Sequence, residues 1–296
     1  MFSALFAALF GLATGSFLSV CIYRIPRSRE DFPELLLPLD GSEPSEPLAA
    51  TPHKTIHIHN PPRSFCPKCE QSLRWWHNIP LVSWFLLRGR CGFCRAPISG
   101  RYPLVEFLGG LTAYLSVVNF GVSPTAVLVF IFCCALIVIS FIDYDFYIIP
   151  NVISLPGTAL GAAVGLSNQY LHIFTYPVVS NIVESAWGFL AGAGFLFIVS
   201  EGYMRFRKKE GLGMGDVKLL AMIGVFFGVA GALSTIFIGS LIGAVVGTIF
   251  VVCRGRGFSH PLPFGPSLAL AAYLYIFLGE EIIGFLAGGP YMAPAM

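Results

Sequence analysis

The sequence predicts an all-α integral membrane protein with about eight transmembrane helices and a small cytoplasmic zinc-binding insertion after the first helix. Three observations predict it. Of 296 residues, 55% are hydrophobic and only 11% charged, with a mean hydropathy of +0.75. That balance belongs to a chain embedded in lipid, not to a soluble domain with one anchor. Apolar runs recur along almost the whole chain, and the Lys and Arg residues are confined to alternate loops. A formal net charge of +2 gives no bulk attraction to nucleic acid.

Residues 1–23 read as the first transmembrane helix. Its apolar run, 2–22, carries Gly11, Gly15, Ser16 and Ser19 as small packing positions. The N-terminus lacks a basic n-region and a clear small-x-small cleavage site, so it reads as a retained helix, not a signal peptide. The helix ends at Tyr23-Arg24-Ile25-Pro26, where an aromatic, a charge and a proline mark the interface.

Residues 24–102 form the long polar segment. Positions 27–62 are rich in Pro, Glu and Ser and read as a loose loop. The remainder holds two Cys-x-x-Cys pairs with Trp75, Trp76 and Trp84, a small module pressed against the membrane surface. Residues 103–296 then read as a seven-helix membrane catalytic domain, with apolar runs at 103–120, 123–142, 150–167, 183–204, 216–229, 231–252 and 263–287. The 150–167 and 216–229 runs are short for a full span.

Loop 24–102 holds 11 of the 18 basic residues, and 205–218 holds Arg205, Arg207, Lys208, Lys209 and Lys218. Arg254 and Arg256 complete the set, while 121–122, 168–182 and 230 carry none. With eight spans every basic loop falls on one side, which the positive-inside rule makes cytoplasmic. Both termini then face outward, and Asp143, Asp145 and Asp216 lie at the cytoplasmic membrane face.

Cys66-Pro67-Lys68-Cys69 and Cys91-Gly92-Phe93-Cys94 are separated by 21 residues. Four thiolates in two such knuckles suit tetrahedral zinc, and an all-cysteine set makes the site closed and structural. The spacer is just longer than the usual ribbon range. A module too small for a good apolar core gains its stability from the metal. Cys21, Cys133, Cys134 and Cys253 read as packing residues. His53, His57 and His59 have no partner spacing and read as surface histidines.

Two carboxylate sites sit at the ends of apolar runs: Phe141-Ile142-Asp143-Tyr144-Asp145 and Gly213-Met214-Gly215-Asp216-Val217-Lys218. A carboxylate at the mouth of a membrane helix is costly to desolvate, which favours a functional reading over a simple N-cap. Two carboxylates about a shared water can hydrolyse a peptide without metal or nucleophile. One is ionised and takes the proton; the other stays protonated and polarises the carbonyl. Asp143 and Asp145 point to different helix faces, so one of them is the dyad member, and Asp143 is nearer the apolar run. No Ser-His-Asp order, His-Glu-x-x-His or phosphate loop is present.

In order along the chain, these motifs resemble those of the bacterial type IV prepilin peptidases. The resemblance covers nearly the whole chain. Gly15-Ser16-Phe17-Leu18-Ser19-Val20 with Tyr23-Arg24-Ile25-Pro26 is similar to the family's first helix. The cysteine pairs followed by Pro97-Ile98-Ser99-Gly100-Arg101-Tyr102-Pro103-Leu104-Val105-Glu106 are similar to its cytoplasmic module. Ile142-Asp143 through Ile149-Pro150 and Gly213-x-Gly215-Asp216-Val217-Lys218-Leu219 resemble its two Asp motifs, the second being the signature of GxGD intramembrane aspartyl proteases.

The resemblance implies an endopeptidase of the bacterial inner membrane with Asp143 and Asp216 as its catalytic pair. Gly213, Gly215, Asp145 and Lys218 would support the catalytic loop. Prepilins and pseudopilins would be cut after a Gly between a basic leader and an apolar helix, with membrane lipid as the surrounding partner. Many members also methylate the new N-terminus with S-adenosylmethionine, and Gly89 and Arg90 resemble positions linked to that activity, although many members carry Lys at the second. Asn151 stands where the family often has Asp, and an amide cannot act as a base. Two other readings stay open: a proton-coupled transporter, since membrane carboxylates can relay protons, and a non-enzymatic pilus or secretion assembly adapter that uses the zinc module as a docking surface.

Overall fold

The computed structural model describes residues 2–29, 64–66, 68–207, 213–254 and 262–286. Among them every regular element is a helix, and extended pairing is limited to two isolated bridges. The helices are α1 (Phe2–Arg27), the short α2 (Val82–Leu86), α3 (Arg101–Phe120), α4 (Pro124–Phe146), α5 (Asn151–Leu171), α6 (Ile182–Phe189), α7 (Phe195–Arg207), α8 (Met214–Arg254) and α9 (Gly265–Leu286). A π turn, Leu190–Gly194, joins α6 to α7. Most of the Pro-, Glu- and Ser-rich loop, with His53, His57 and His59, lies outside the described residues, as do Lys208, Lys209 and Arg256.

Among the described residues, five helical stretches are long and apolar enough to cross a membrane: Phe2–Arg27, Arg101–Phe120, Pro124–Phe146, Ile182–Arg205 and Met214–Phe250. Gly265–Gly279 is a shorter apolar helix. Each of the eight apolar runs of the sequence is helical over most of its described residues. Large apolar side chains such as Leu5, Leu9, Phe237 and Leu241 are exposed. Lipid, which provides backbone groups with no partners, demands helices and tolerates such outward faces.

The chain divides into two compact units, Met1–Ile142 and Asp143–Met296. In the first unit α1 lies directly against α3. A Cβ on Gly11 would come 2.4 Å from the Gly109 carbonyl oxygen, and one on Gly109 would come 2.6 Å from that of Gly11. Backbones this close are the small-residue packing of membrane helices, where there is no water to drive association and contact must come from shape.

The second unit is built around the first half of α8, where Leu219, Leu220 and Ile223 are fully buried. The α8 element is not one straight rod. Gly228 has φ 67° and ψ −167°, a conformation essentially restricted to glycine. A Cβ on Gly192 would lie 2.5 Å from the Leu220 oxygen and 3.4 Å from the Ala232 Cβ. Those two atoms are therefore within about 6 Å, whereas twelve residues of straight helix span about 18 Å. The chain folds back at Gly228, which is why the sequence shows two apolar runs where one helical element is continuous.

Candidate active site and metal centre

Asp143 occupies the last turn of α4 and is buried. Its carbonyl accepts the N–H of Tyr147 at 2.8 Å, and Tyr147, at φ 55°, turns the chain out of the helix. One carboxylate oxygen, Oδ2, accepts the backbone N–H of Gly265 at 3.0 Å. Gly265 is the first residue of α9, so the carboxylate sits on the donor end of a helix. A Cβ on Gly265 would fall 2.6 Å from that same Oδ2, so any side chain there displaces the carboxylate.

Asp216 lies in the first turn of α8 and is also buried. Its N–H donates to the Gly213 carbonyl at 3.1 Å. Gly215 makes room for a close neighbour: a Cβ there would lie 3.0 Å from the Cβ of Ile149. The end of the first Asp motif thus packs on the second. Two residues beyond Asp216, Lys218 Nζ donates to Asn151 Oδ1 at 2.8 Å, tying the start of α8 to the start of α5. Asp143 and Asp216 are near enough for their charges to interact. Asp145 is exposed, two residues on and facing elsewhere.

Of the expected support residues, Gly213, Gly215 and Lys218 lie around Asp216, and Asp145 is set apart from the buried pair. Two contacts beside the pair come from the fold and not from the sequence. Gly265 acts through its backbone, and only the Pro263-Phe264-Gly265-Pro266 breaker cluster marks its position. Asn151 can be read from its type as a non-base, but its hydrogen bond to Lys218 comes only from the fold.

The cysteine module is built from two knuckles of one design. In each, the residue before the first cysteine bridges to the third residue after the second, Phe65 with Ser72 and Arg90 with Pro97. In each, the residue after the second cysteine is left-handed, Glu70 at φ 54° and Arg95 at φ 61°. The four sulfurs of Cys66, Cys69, Cys91 and Cys94 lie within 4.8 Å of one another. Cys66 Sγ and Cys94 Sγ are 3.9 Å apart, against an edge of about 3.8 Å for a tetrahedron with zinc–sulfur bonds of about 2.3 Å. The donor set fits a metal ion. The backbone N–H groups of Cys94 and Phe93 point at the Cys91 sulfur and, against burial, pull its thiol down to about 7. Gly89, at φ 65°, is buried in the turn before Cys91, and Arg90 is exposed.

Residues 9–120 match the Bacterial Peptidase A24 N-terminal domain, and residues 130–248 match the Type IV leader peptidase family. Among curated proteins, the chain is 36% identical to the "Prepilin leader peptidase/N-methyltransferase" of Stutzerimonas stutzeri, covering 93% of this chain and 91% of that one. The protein of the same name from Xanthomonas campestris pv. campestris is 36% identical over 95% and 93% of the two chains. That from Pseudomonas aeruginosa is 35% identical over 93% and 90%. No solved structure is a significant match.

Proposed function

The chain belongs to the type IV leader peptidase family, and on that premise we propose that it is a membrane aspartyl endopeptidase that removes the basic leader from prepilins and pseudopilins, with Asp143 and Asp216 as its catalytic pair. The observation that carries this reading is the pair itself. Two buried carboxylates from distant parts of the sequence are drawn within electrostatic reach, one of them held on the Gly265 N–H. One carboxylate takes the proton of the attacking water while the other, protonated, polarises the scissile carbonyl; the amine leaves with the proton returned. A transporter would set its carboxylates at separate stations along a path, which the shared site disfavours.

The placement of Lys and Arg supports eight spans, a cytoplasmic 24–102 segment with its four-cysteine module, and a seven-helix membrane domain over 103–296. The pair then opens at the cytoplasmic face of the bacterial inner membrane, both termini face outward, and the basic leader of the substrate stays inside by the same rule. The four cysteines hold one structural zinc that keeps the module folded. The relatives' shared name supports a second activity, N-methylation of the new N-terminus from S-adenosylmethionine.

The test is single-turnover cleavage of a purified prepilin in lipid by the wild type, Asp143→Asn and Asp216→Asn, with the products weighed by mass spectrometry. Loss of cleavage in both variants, with folding kept, supports the pair. Substantial turnover by either removes that residue from the dyad.

A further inference from the structure

The cysteine module carries an apolar face that the described chain leaves uncovered. In α2, Val82, Phe85 and Leu86 stand at i, i+3 and i+4, so they share one side of the helix. They are 50%, 66% and 78% exposed. Ser83, Trp84 and Leu87, on the other side, are half-buried. The 3₁₀ turn Trp75–Asn78 packs beside α2 and leaves Trp75 75% exposed. Large apolar groups clustered in this way mark a contact surface, where single exposed ones would not.

The chain accepts strain to put α2 where it is. Leu81, just before the helix, has φ 60° and ψ −53°, and the Val82 N–H donates to the Pro80 carbonyl at 2.6 Å. That is the rare form of the γ-turn, unfavourable for a leucine, and such outliers persist where the surroundings hold them. The holding group is Glu106 of α3, whose Oε2 accepts the Leu81 N–H at 2.7 Å. Glu106 lies about 7.5 Å along α3 from Arg101, and helical side chains lean back toward the N-terminus. Leu81 therefore stands beside the first two turns of α3, not beyond its end. On those turns Tyr102, Leu104 and Phe107 are exposed. The Trp84 indole, which donates to the Ile98 carbonyl at 3.3 Å, ties α2 to the segment that enters α3. The apolar face of α2 is thus held level with the mouth of a membrane helix.

We propose that this face lies in the bilayer, at the boundary between headgroups and acyl chains, with Trp75, Val82, Phe85 and Leu86 as the inserted side chains. The inference rests on the membrane reading above and gives the module both the face it presents to lipid and its depth. Interfacial helices enter lipid by about 5–10 Å, and tryptophan favours that layer. Charge identifies the same occupant. Residues 64–102 hold six Lys or Arg against a single acidic residue, Glu70. Lys68, Arg74, Arg88, Arg90 and Arg95 are all exposed. A basic rim around an apolar face fits anionic headgroups. A second copy of the module would carry the same charge and be repelled, and so would the basic leader of the proposed substrate.

The test is photo-cross-linking of the full chain in nanodiscs of phosphatidylethanolamine and phosphatidylglycerol. The photoreactive residue p-benzoylphenylalanine replaces Phe85, Leu86 or Phe107 in turn, and the adducts are identified by mass spectrometry. Phe107, exposed on α3, is the reference for a lipid-facing position. Metal content and prepilin cleavage are measured on each sample. Positions 85 and 86 should give phospholipid adducts, as 107 does. With phosphatidylcholine in place of phosphatidylglycerol, their yield should fall by about fivefold, the factor for one basic group near an anionic surface, while that of 107 stays constant. Lipid adducts at 107 alone, or adducts at 85 and 86 with a second copy or an added prepilin, overturn the proposal. Yields at 85 and 86 that ignore lipid charge overturn the role of the basic rim. Cleavage retained in those samples leaves the peptidase reading standing.

Discussion

The four-cysteine module and the aspartate pair solve opposite problems. The module draws its four ligands from one short stretch, and each knuckle is closed by hydrogen bonds between near neighbours, such as Cys66 N–H to Gln71 and Cys91 N–H to Ala96. Its geometry is local, and a metal held by the four sulfurs would supply the stability that so small a core lacks. The aspartate pair has almost no local geometry. Asp143 ends one helix, Asp216 begins another, and the donor that holds Asp143 lies 122 residues further along the chain. On the function proposed above, the first site would depend on its ligand for folding, and the second on the fold for its chemistry. They should therefore fail in different ways.

The largest effect should come from the pair. Asp143→Asn and Asp216→Asn should each cut single-turnover cleavage by roughly 10³-fold or more, because the amide keeps the shape but can neither take nor give the proton. The double variant should be no worse than either single one, since the two act as a unit. Metal content and melting midpoint should stay near wild type, and a collapse of the fold would erase the contrast with the module. Next is Gly265→Ala. Its methyl group meets the Asp143 carboxylate, so cleavage should drop by roughly 10²-fold while metal content is unchanged.

Cys69→Ser should show the reverse pattern. Metal measured by plasma emission should fall from about one ion per chain, as one tetrahedral site implies, and the 64–102 module should become sensitive to limited proteolysis. Cleavage should fall only secondarily. A metal-free variant with an equally protected module would break the distinction between the two regions. Lys218→Met removes the bond to Asn151 and should cost about 1 kcal/mol at a half-exposed site, with less than about a tenfold loss of cleavage. Asp145→Asn, exposed and facing away, should have the smallest effect; a loss as large as that of Asp143→Asn would reassign the dyad.

How much of this is legible in the sequence follows the same division. The four cysteines are found from spacing alone, because their geometry is local. Asp143 and Asp216 are found as anomalies, carboxylates at the ends of apolar runs, but nothing in the sequence says that they meet. Helix periodicity separates Asp143 from Asp145, nearness to the apolar run selects Asp143, and of the two Asp143 is the buried one. The Gly265 donor is not legible because a backbone N–H has no residue identity. The Lys218–Asn151 bond joins two residues 67 apart and depends on how α5 and α8 pack. The sequence places the break between the apolar runs 216–229 and 231–252 at 230, and the fold turns two residues earlier, at Gly228.

The fold-back at Gly228 leaves a short arm. The arm that carries Asp216 runs from Met214 to the reversal, and at 1.5 Å per residue it is about 20 Å long. The hydrocarbon of a typical bilayer is about 30 Å thick. From Asp216 to Gly228 every residue but Lys218 is buried, so protein and not acyl chains surrounds the arm. Reconstituted in bilayers of increasing chain length, the protein should cleave at nearly the same rate; a steep dependence would mean that lipid reaches the arm.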